Sequence, residues 1–302
     1  MKQYSATIAD HGRRMDSFLR AILPAASLSY LRQLLKGESV TLNGAPAGPD
    51  SLLRLSDLIA LKETSRIKAL LVPRSNGPDI LYEDDEIAIF NKPAGLSVHR
   101  SAEHGIHNLV DTGSAFFARR GIQLKLYPVN RLDRETSGLV VMAKSSAKAG
   151  AFGKLFQEGL VKKSYLTVVS GKTAESGSID LPLDEKESRS EFRTLSTRKG
   201  VSILSVTPIT GRSHQIRRHL SAIGHPVMGD RRYGGKRTRD LDGHALHSYR
   251  LAFPHPVSGV GVSVFAPLPT EFADYLSRIL DGDIIPLLDS LVAGEAAREN
   301  IT

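Results

Sequence analysis

Apolar residues recur at helical spacing soon after the N-terminus: Met15, Phe18, Leu19 and Ile22 share one face, and Pro24 ends the run. A short helix is predicted there. A second runs from Ser27 to Lys36, with serine as the N-cap and Gly37 just past the end. Ser39 to Leu42 then reads as a strand entering an Asn43-Gly44 hairpin turn, and Leu58 to Leu61 as another short strand. Residues 63–79 contain Pro73, Ser75, Asn76, Gly77 and Pro78, a breaker-rich composition that predicts a linker. The expected organisation is a small domain over 1–62, a linker over 63–79 and a larger domain over 80–302. In the larger part short strands and helices alternate without a fixed period, which argues against a solenoid or propeller. Thr270, Phe272, Tyr275, Leu276 and Ile279 have amphipathic helical spacing, and the tail from Ala293 reads as frayed.

With 302 residues, 41% apolar and 24% charged, the chain has the balance of a soluble globular protein and is long enough for two cores. It has no cysteine, so a disulfide framework, a thiolate metal site and a cysteine nucleophile are excluded, and the cytoplasm is the expected location. Neither a secretory signal nor a run of roughly 18 apolar residues is found, so no membrane association is expected. Lys and Arg outnumber Asp and Glu by 40 to 32, a net +8 that favours a polyanion such as nucleic acid or anionic lipid. No glycine pattern of a dinucleotide fold or phosphate loop occurs, so no nucleotide cofactor is expected. His214 and His219 are five apart, which is poor metal spacing, and no metal is expected; the histidines of the second half are read as structural hydrogen-bonders or RNA contacts.

Arg13, Arg14, Arg20, Arg32 and Lys36 cluster in and beside the first two helices. They read either as one basic face toward a phosphate backbone or as a solvated helix surface. Arg14-Met15-Asp16, Ser29 to Gly37 and Val40 to Gly44 resemble the elements of the S4 RNA-binding domain over about residues 12–62. That resemblance implies RNA contacts from Arg13, Arg14, Arg32 and Lys36.

Candidate chemistry concentrates in Val129-Asn130-Arg131-Leu132-Asp133-Arg134-Glu135-Thr136-Ser137-Gly138, a polar loop before the strand-like run Leu139 to Ala143. By composition alone it is a turn in which Asp133 and Thr136 cap nearby amides. The string resembles the H-R-L-D-x-x-T-S-G signature of the RluA-type pseudouridine synthases. Further elements follow in the family's order: Ile80 to Asp84, Asn91 to His99, Lys163-Ser164-Tyr165, Gly211 to Leu220, Gly224-His225-Pro226, Gly229-Asp230, Leu246-His247 and Phe253 to Pro256. One departure is visible, Asn130 where the family usually has histidine; it keeps a donor and an acceptor but cannot become cationic.

The resemblance implies an α+β fold, a mixed and mainly antiparallel sheet with helices around a cleft, and an enzyme that isomerises uridine in structured RNA. Ribosomal RNA is favoured over transfer RNA, and a monomer is the default. The reaction breaks the N1–C1′ bond, turns the base and rejoins it through C5, with no redox change and no cofactor. It needs a carboxylate, for which Asp133 is implied; attack at C6, attack at C1′ and assisted glycal formation all use the same group. Arg217 is implied as its partner, fixing its direction and favouring its charged form. Tyr165 is implied to stack on the uracil and act near C5, against the alternative of an ordinary strand aromatic. Because a target base must leave its stack, Arg131 is implied to fill the vacated place, against a salt bridge to Glu135 or a phosphate contact. Arg212, His214 and Gln215 are further RNA-contact candidates, and Arg231 and Arg232 open a basic loop that continues through Lys236, Arg237 and Arg239. The rival readings are a non-catalytic RNA-binding or ribosome-assembly protein of the same fold, and a glycosidase or N-glycosylase that would release base or sugar.

Overall fold

In the computed structural model residues 1–71, 78–100 and 107–299 are described. The first element is β1 (Lys2–Ser5), followed by α1 (Met15–Ile22) and α2 (Leu28–Lys36), β2 (Val40–Leu42), β3 (Ala45–Pro46), β4 (Leu58–Leu61) and α3 (Ser65–Leu70). The four strands form one sheet in the order β1-β4-β2-β3. The helices begin and end where the capping chemistry demands: Ser27 accepts from the Tyr30 amide, and Gly37 closes α2. Asn43 and Gly44 both take positive φ, which is the backbone of a tight hairpin turn between β2 and β3. Met15, Phe18, Leu19 and Ile22 of α1 pack with Leu31 and Leu35 of α2 and Ile59 and Leu61 of β4 in a separate core.

The expected linker is partly ordered secondary structure. Thr64 caps α3, and Ile67 is buried in the N-terminal core, so an apolar anchor outweighs the breaker-rich composition that follows it. Pro73, Ser75, Asn76 and Gly77 lie outside the described residues.

Beyond them come β5 (Asp79–Glu83), β6 (Ile87–Lys92), α4 (Leu109–Arg119), β7 (Tyr127–Pro128), β8 (Ser137–Ala143) and α5 (Ser146–Gln157). Then follow β9 (Lys162–Ser170), β10 (Ser176–Asp180), β11 (Arg189–Arg198), β12 (Val201–Pro208), α6 (Gln215–Ala222), β13 (Leu246–Pro254), β14 (Gly261–Phe265), α7 (Thr270–Leu280) and α8 (Ile285–Glu299). Among the described residues these strands make one sheet ordered β10-β11-β12-β9-β13-β8-β6-β5, with β14 on β13 and β7 on β8. Only the β8–β13 pair is parallel. The architecture is α+β, as expected.

The period-2 alternation of β8 explains its full burial. Leu139, Val141 and Ala143 face Phe152 and Leu155 of α5, whereas Val140 and Met142 face Phe117 of α4. Gly138 is required by the close approach of β13: its φ is +111° and a Cβ there would meet the Ser248 carbonyl oxygen at 2.2 Å. Among the described residues α7 is followed by a second helix, α8, which runs through Ala293 where a frayed tail is expected. Leu288 and Leu291 of α8 are buried against the core that includes Phe272 and Leu276 of α7.

The N-terminal unit is docked onto β5, an edge strand of the large sheet. The Ser17 hydroxyl donates to the Ile80 carbonyl at 3.0 Å, and Arg13 pairs with Asp79. Arg20 reaches Glu83 at 2.6 Å, joined there by Arg120 and Lys144, both at 2.9 Å. Burial pushes the Glu83 carboxyl up, but the three cations outweigh it and hold the group below its ordinary value. Here the expectation of a basic RNA face needs correction: Arg13, just before α1, and Arg20, on it, are buried and pair with Asp79 and Glu83 of β5. Arg14 is held by Asp16 and Asp50. Only Arg32 and Lys36 of that set stand exposed, on α2.

Candidate active site

The loop between β7 and β8, the face of β9 and the start of α6 enclose a cavity of about 690 Å³. Asp133, Tyr165 and Arg217 all line it, as do Arg131, Arg212 and His214. Three distant stretches of chain thus converge because β9 and β8 flank β13 in the sheet, while α6 returns from β12 over the same end.

Asp133 does not cap its own loop. Its Oδ2 accepts from Nη1 of Arg217 at 2.7 Å, and its side chain keeps 21% exposure toward the cavity. Arg217 has a second carboxylate, Asp230, which accepts from Nε at 2.6 Å and Nη2 at 2.8 Å. Burial works against the guanidinium charge, but hydrogen bonds to Asp230 and Asp133 outweigh it, so its pKa is raised still further. The bidentate Asp230 fork fixes the plane of Arg217, and that plane aims the remaining nitrogen at Asp133. Tyr233 completes the clamp, its ring 5.0 Å from the guanidinium carbon.

His214, at the N-cap of α6 with φ +52°, places Nε2 3.6 Å from Asp133 Oδ1, while Nδ1 is 2.8 Å from the Tyr233 hydroxyl. Burial lowers its pKa, with Asp133 acting in the opposite sense, so the neutral imidazole dominates at pH 7. Tyr165 is partly buried; burial and the nearby Asp133 charge push its hydroxyl up to about 12. It is therefore a phenol at neutral pH, able to donate a hydrogen bond and present a ring face.

Several contacts hold the Asp133 loop. Lys92, fully buried, donates its three N–H groups to the carbonyls of Pro93, Leu96 and Arg134 at 2.8–2.9 Å. Burial pulls its ammonium down to about 7 against the raising effect of Glu135 and Asp133. The Gly95 amide also donates to the Arg134 carbonyl. Thr136 pairs with His244 at 2.8 Å and Ser137 with His247 at 2.8 Å. His247 Nε2 meets the Ala266 carbonyl and so carries the proton, leaving Nδ1 to accept from Ser137. Asn130, the departure from the family pattern, uses both halves of its amide on β8: Oδ1 accepts from the Val141 amide at 2.7 Å and Nδ2 donates to the Leu139 carbonyl at 3.2 Å. No charge is needed for that bridge.

Gln215, expected at the RNA, is corrected to a structural residue. Its Oε1 accepts from Thr210 and the Arg212 amide, and its Nε2 donates to the Arg189 carbonyl and Ser190, which uses all its polar capacity. Arg131 is exposed at the cavity, and it is Arg134 that approaches Glu135, at 3.7 Å. Arg212, Arg231 and Arg232 are exposed. Sequence reasoning missed the roles of Asp230, Tyr233 and Lys92. Asp230 and Lys92 stand inside quoted motifs, but only a folded backbone shows what they reach.

A model of the RNA pseudouridylate synthase family matches residues 86–222. "Ribosomal large subunit pseudouridine synthase D" of Xylella fastidiosa is 30% identical over 301 residues, covering 89% of each chain. "Uncharacterized RNA pseudouridine synthase YlyB" of Bacillus subtilis is also 30% identical, over 92% of this chain and 99% of that one. Among solved structures, human RNA pseudouridylate synthase domain containing 4 matches with a TM-score of 0.57 at 24% identity, over 66% of this chain and 92% of that one, a likeness of fold. Relatives that span nearly the whole chain, over a fold that seats an acid beside a guanidinium at a cavity wall, leave one conclusion: the chain is a member of the RNA pseudouridylate synthase family.

Proposed function

We propose that the protein converts uridine to pseudouridine in structured RNA of the large ribosomal subunit, with Asp133 as the reacting carboxylate. The observation that carries this reading is the Asp133–Arg217 contact of 2.7 Å at the wall of a cavity large enough for a nucleoside. Arg217, locked by Asp230, directs the carboxylate and keeps it from drifting as charge moves off it. The uridine leaves its stack and enters the cavity, at a cost of a few kcal/mol. Arg131, exposed at the same opening, fills the place it leaves. Cleavage of N1–C1′ leaves the bonding pair on the uracil, which turns in place and rejoins C1′ through C5; C5 then loses its proton and N1 takes one up, so the product is an isomer of the substrate. Tyr165 offers its ring to the uracil and its hydroxyl as a donor; its raised pKa makes it a holder of the base in preference to the base that takes the proton.

Residues 1–62 act as an S4-like RNA-binding unit, with Arg32 and Lys36 of α2 as its phosphate contacts. The large-subunit substrate follows the printed names of relatives such as the Xylella fastidiosa protein. The test is pseudouridine mapping of cellular RNA with wild-type protein, without it, and with Asp133→Asn. One or more large-subunit sites should vanish without the protein and stay absent with the variant. Full modification by Asp133→Asn would remove the acid from its role, and released free uracil would replace isomerisation by glycosidic hydrolysis.

A further inference from the structure

Lys163 and Tyr165 lie two residues apart on β9 and line the same cavity. In a strand such residues share a face at about 6.6 Å spacing, comparable to the reach from a nucleobase across its ribose to the adjacent phosphate. Lys163 is less satisfied than Lys92, the lysine behind the Asp133 loop. Lys92 uses its three donors on three carbonyls at 2.8–2.9 Å. The Lys163 ammonium makes one long bond, 3.3 Å to the Thr210 carbonyl, and among the described residues no carboxylate pairs with it. Two donors of this half-buried cation, on a residue that lines the cavity, are therefore left for a ligand.

We infer that Lys163 holds a phosphate flanking the flipped uridine, an assignment that rests on the pseudouridine-forming reading above. The chemistry selects a phosphate over a uracil carbonyl. Burial lowers the pKa of this ammonium with no carboxylate to restore it, and a phosphate supplies the missing charge where a neutral carbonyl does not. Position agrees: Thr210, which accepts from Lys163, stands in the chain between the exposed Ile209 and the exposed Arg212, all lining the same cavity, so the cation is tied to a solvent-facing stretch of the wall. Lys163 thereby sets how far the nucleotide enters, with its phosphate held at that stretch and its C1′ brought to Asp133.

The test uses the full-length protein and a synthetic RNA stem-loop around a large-subunit uridine that it modifies, prepared with a neutral methylphosphonate either 5′ or 3′ of the target. Loss of one charge-assisted contact should raise KM of Lys163→Gln by about tenfold to a hundredfold, with a smaller change in kcat. In wild type, the methylphosphonate at one of the two positions should cost a similar factor. The same substitution should cost Lys163→Gln less than about threefold, the coupling expected when both changes remove one contact. Lys163→Arg should recover most of the loss. Equal sensitivity to both methylphosphonates in wild type and Lys163→Gln would overturn the assignment, as would a fall in kcat with KM unchanged. Should Lys163→Gln not fold, Lys163→Met, which keeps the apolar stem, takes its place. Wild-type protein that makes no pseudouridine in any RNA would instead sink the reading of the reaction, so the two failures are told apart.

Discussion

Around Glu83 one carboxylate meets three cations, Arg20, Arg120 and Lys144; around Arg217 one cation meets two carboxylates, Asp133 and Asp230. The first cluster has a surplus of positive charge and a carboxylate with no exposed side-chain surface. The second shares one guanidinium between a buried acid, 1% exposed, and an acid that is 21% exposed to a cavity. A carboxylate surrounded on every side is a rivet. One held on a single side by a partner that is itself fixed from behind keeps lone pairs free for a substrate.

The comparison breaks most sharply under a paired substitution. Asp133→Asn should lower pseudouridine formation by about 10³-fold or more, with the denaturation midpoint nearly unmoved, because Asp230 still neutralises Arg217. Glu83→Ala should show the converse, losing about 3–5 kcal/mol in urea unfolding because three cations are left buried around a gap, with turnover per folded molecule near wild type. If both variants lost activity and stability together, the two clusters would not differ in kind.

Asp230→Asn sharpens the second cluster alone. Weakening the fork that aims Arg217 should lower kcat by about tenfold to a hundredfold, with RNA affinity held, as single-turnover kinetics would show. A smaller effect separates the two regions by pH. His244, beside the Asp133 loop, and His247, under Ser137, are buried neutral, and burial lowers each from 6.5 to about 4. Between pH 6.5 and 4 these two rings alone let the unfolded chain bind up to two more protons than the folded one. Stability should therefore fall on acidification through that window, with a slope reaching about 2.7 kcal/mol per pH unit. Chemical denaturation at stepped pH measures it, and a flat profile would mean that the two rings are protonated in place. Least of all, Arg32→Ala and Lys36→Ala on the exposed face of α2 should each weaken RNA binding a few-fold. Each should also make its salt dependence shallower by about 0.7 in log–log slope.

What could be read from the residues alone was whatever depends on neighbours in the chain. The α1 and α2 boundaries follow from Pro24, Ser27 and Gly37, and the β2–β3 turn from Asn43-Gly44. The ordered motifs brought Asp133, Tyr165 and Arg217 to one place, 84 positions separating the acid from the guanidinium. What escaped depends on which side of an element meets another. Nothing in Arg13 or Arg20 distinguishes a solvent-facing arginine from one that finds Asp79 or Glu83 across an interface. Gln215 is an RNA-contact candidate within the Gly211–Leu220 motif, but at the first turn of α6 its amide reaches inward. The last helix escaped for another reason. Leu287, Leu288, Leu291 and Val292 carry helical spacing, but Pro286 and the glycine, alanines and charged residues after Ala293 hid it, although proline is tolerated in a first turn.

The seating of α1 on β5 also bears on what shields the edge of the large sheet. A terminal strand offers unpaired backbone to any other strand it meets. Here Ser17 covers the Ile80 carbonyl, a bulge between Ile80 and Tyr82 disturbs the ladder, and Arg20 plugs the end with charge. A piece of the protein beginning at Pro78 would bare that strand and strand Glu83 without one of its counter-ions, so it should stick to its own copies, and the N-terminal unit and the large sheet are best regarded as folding together.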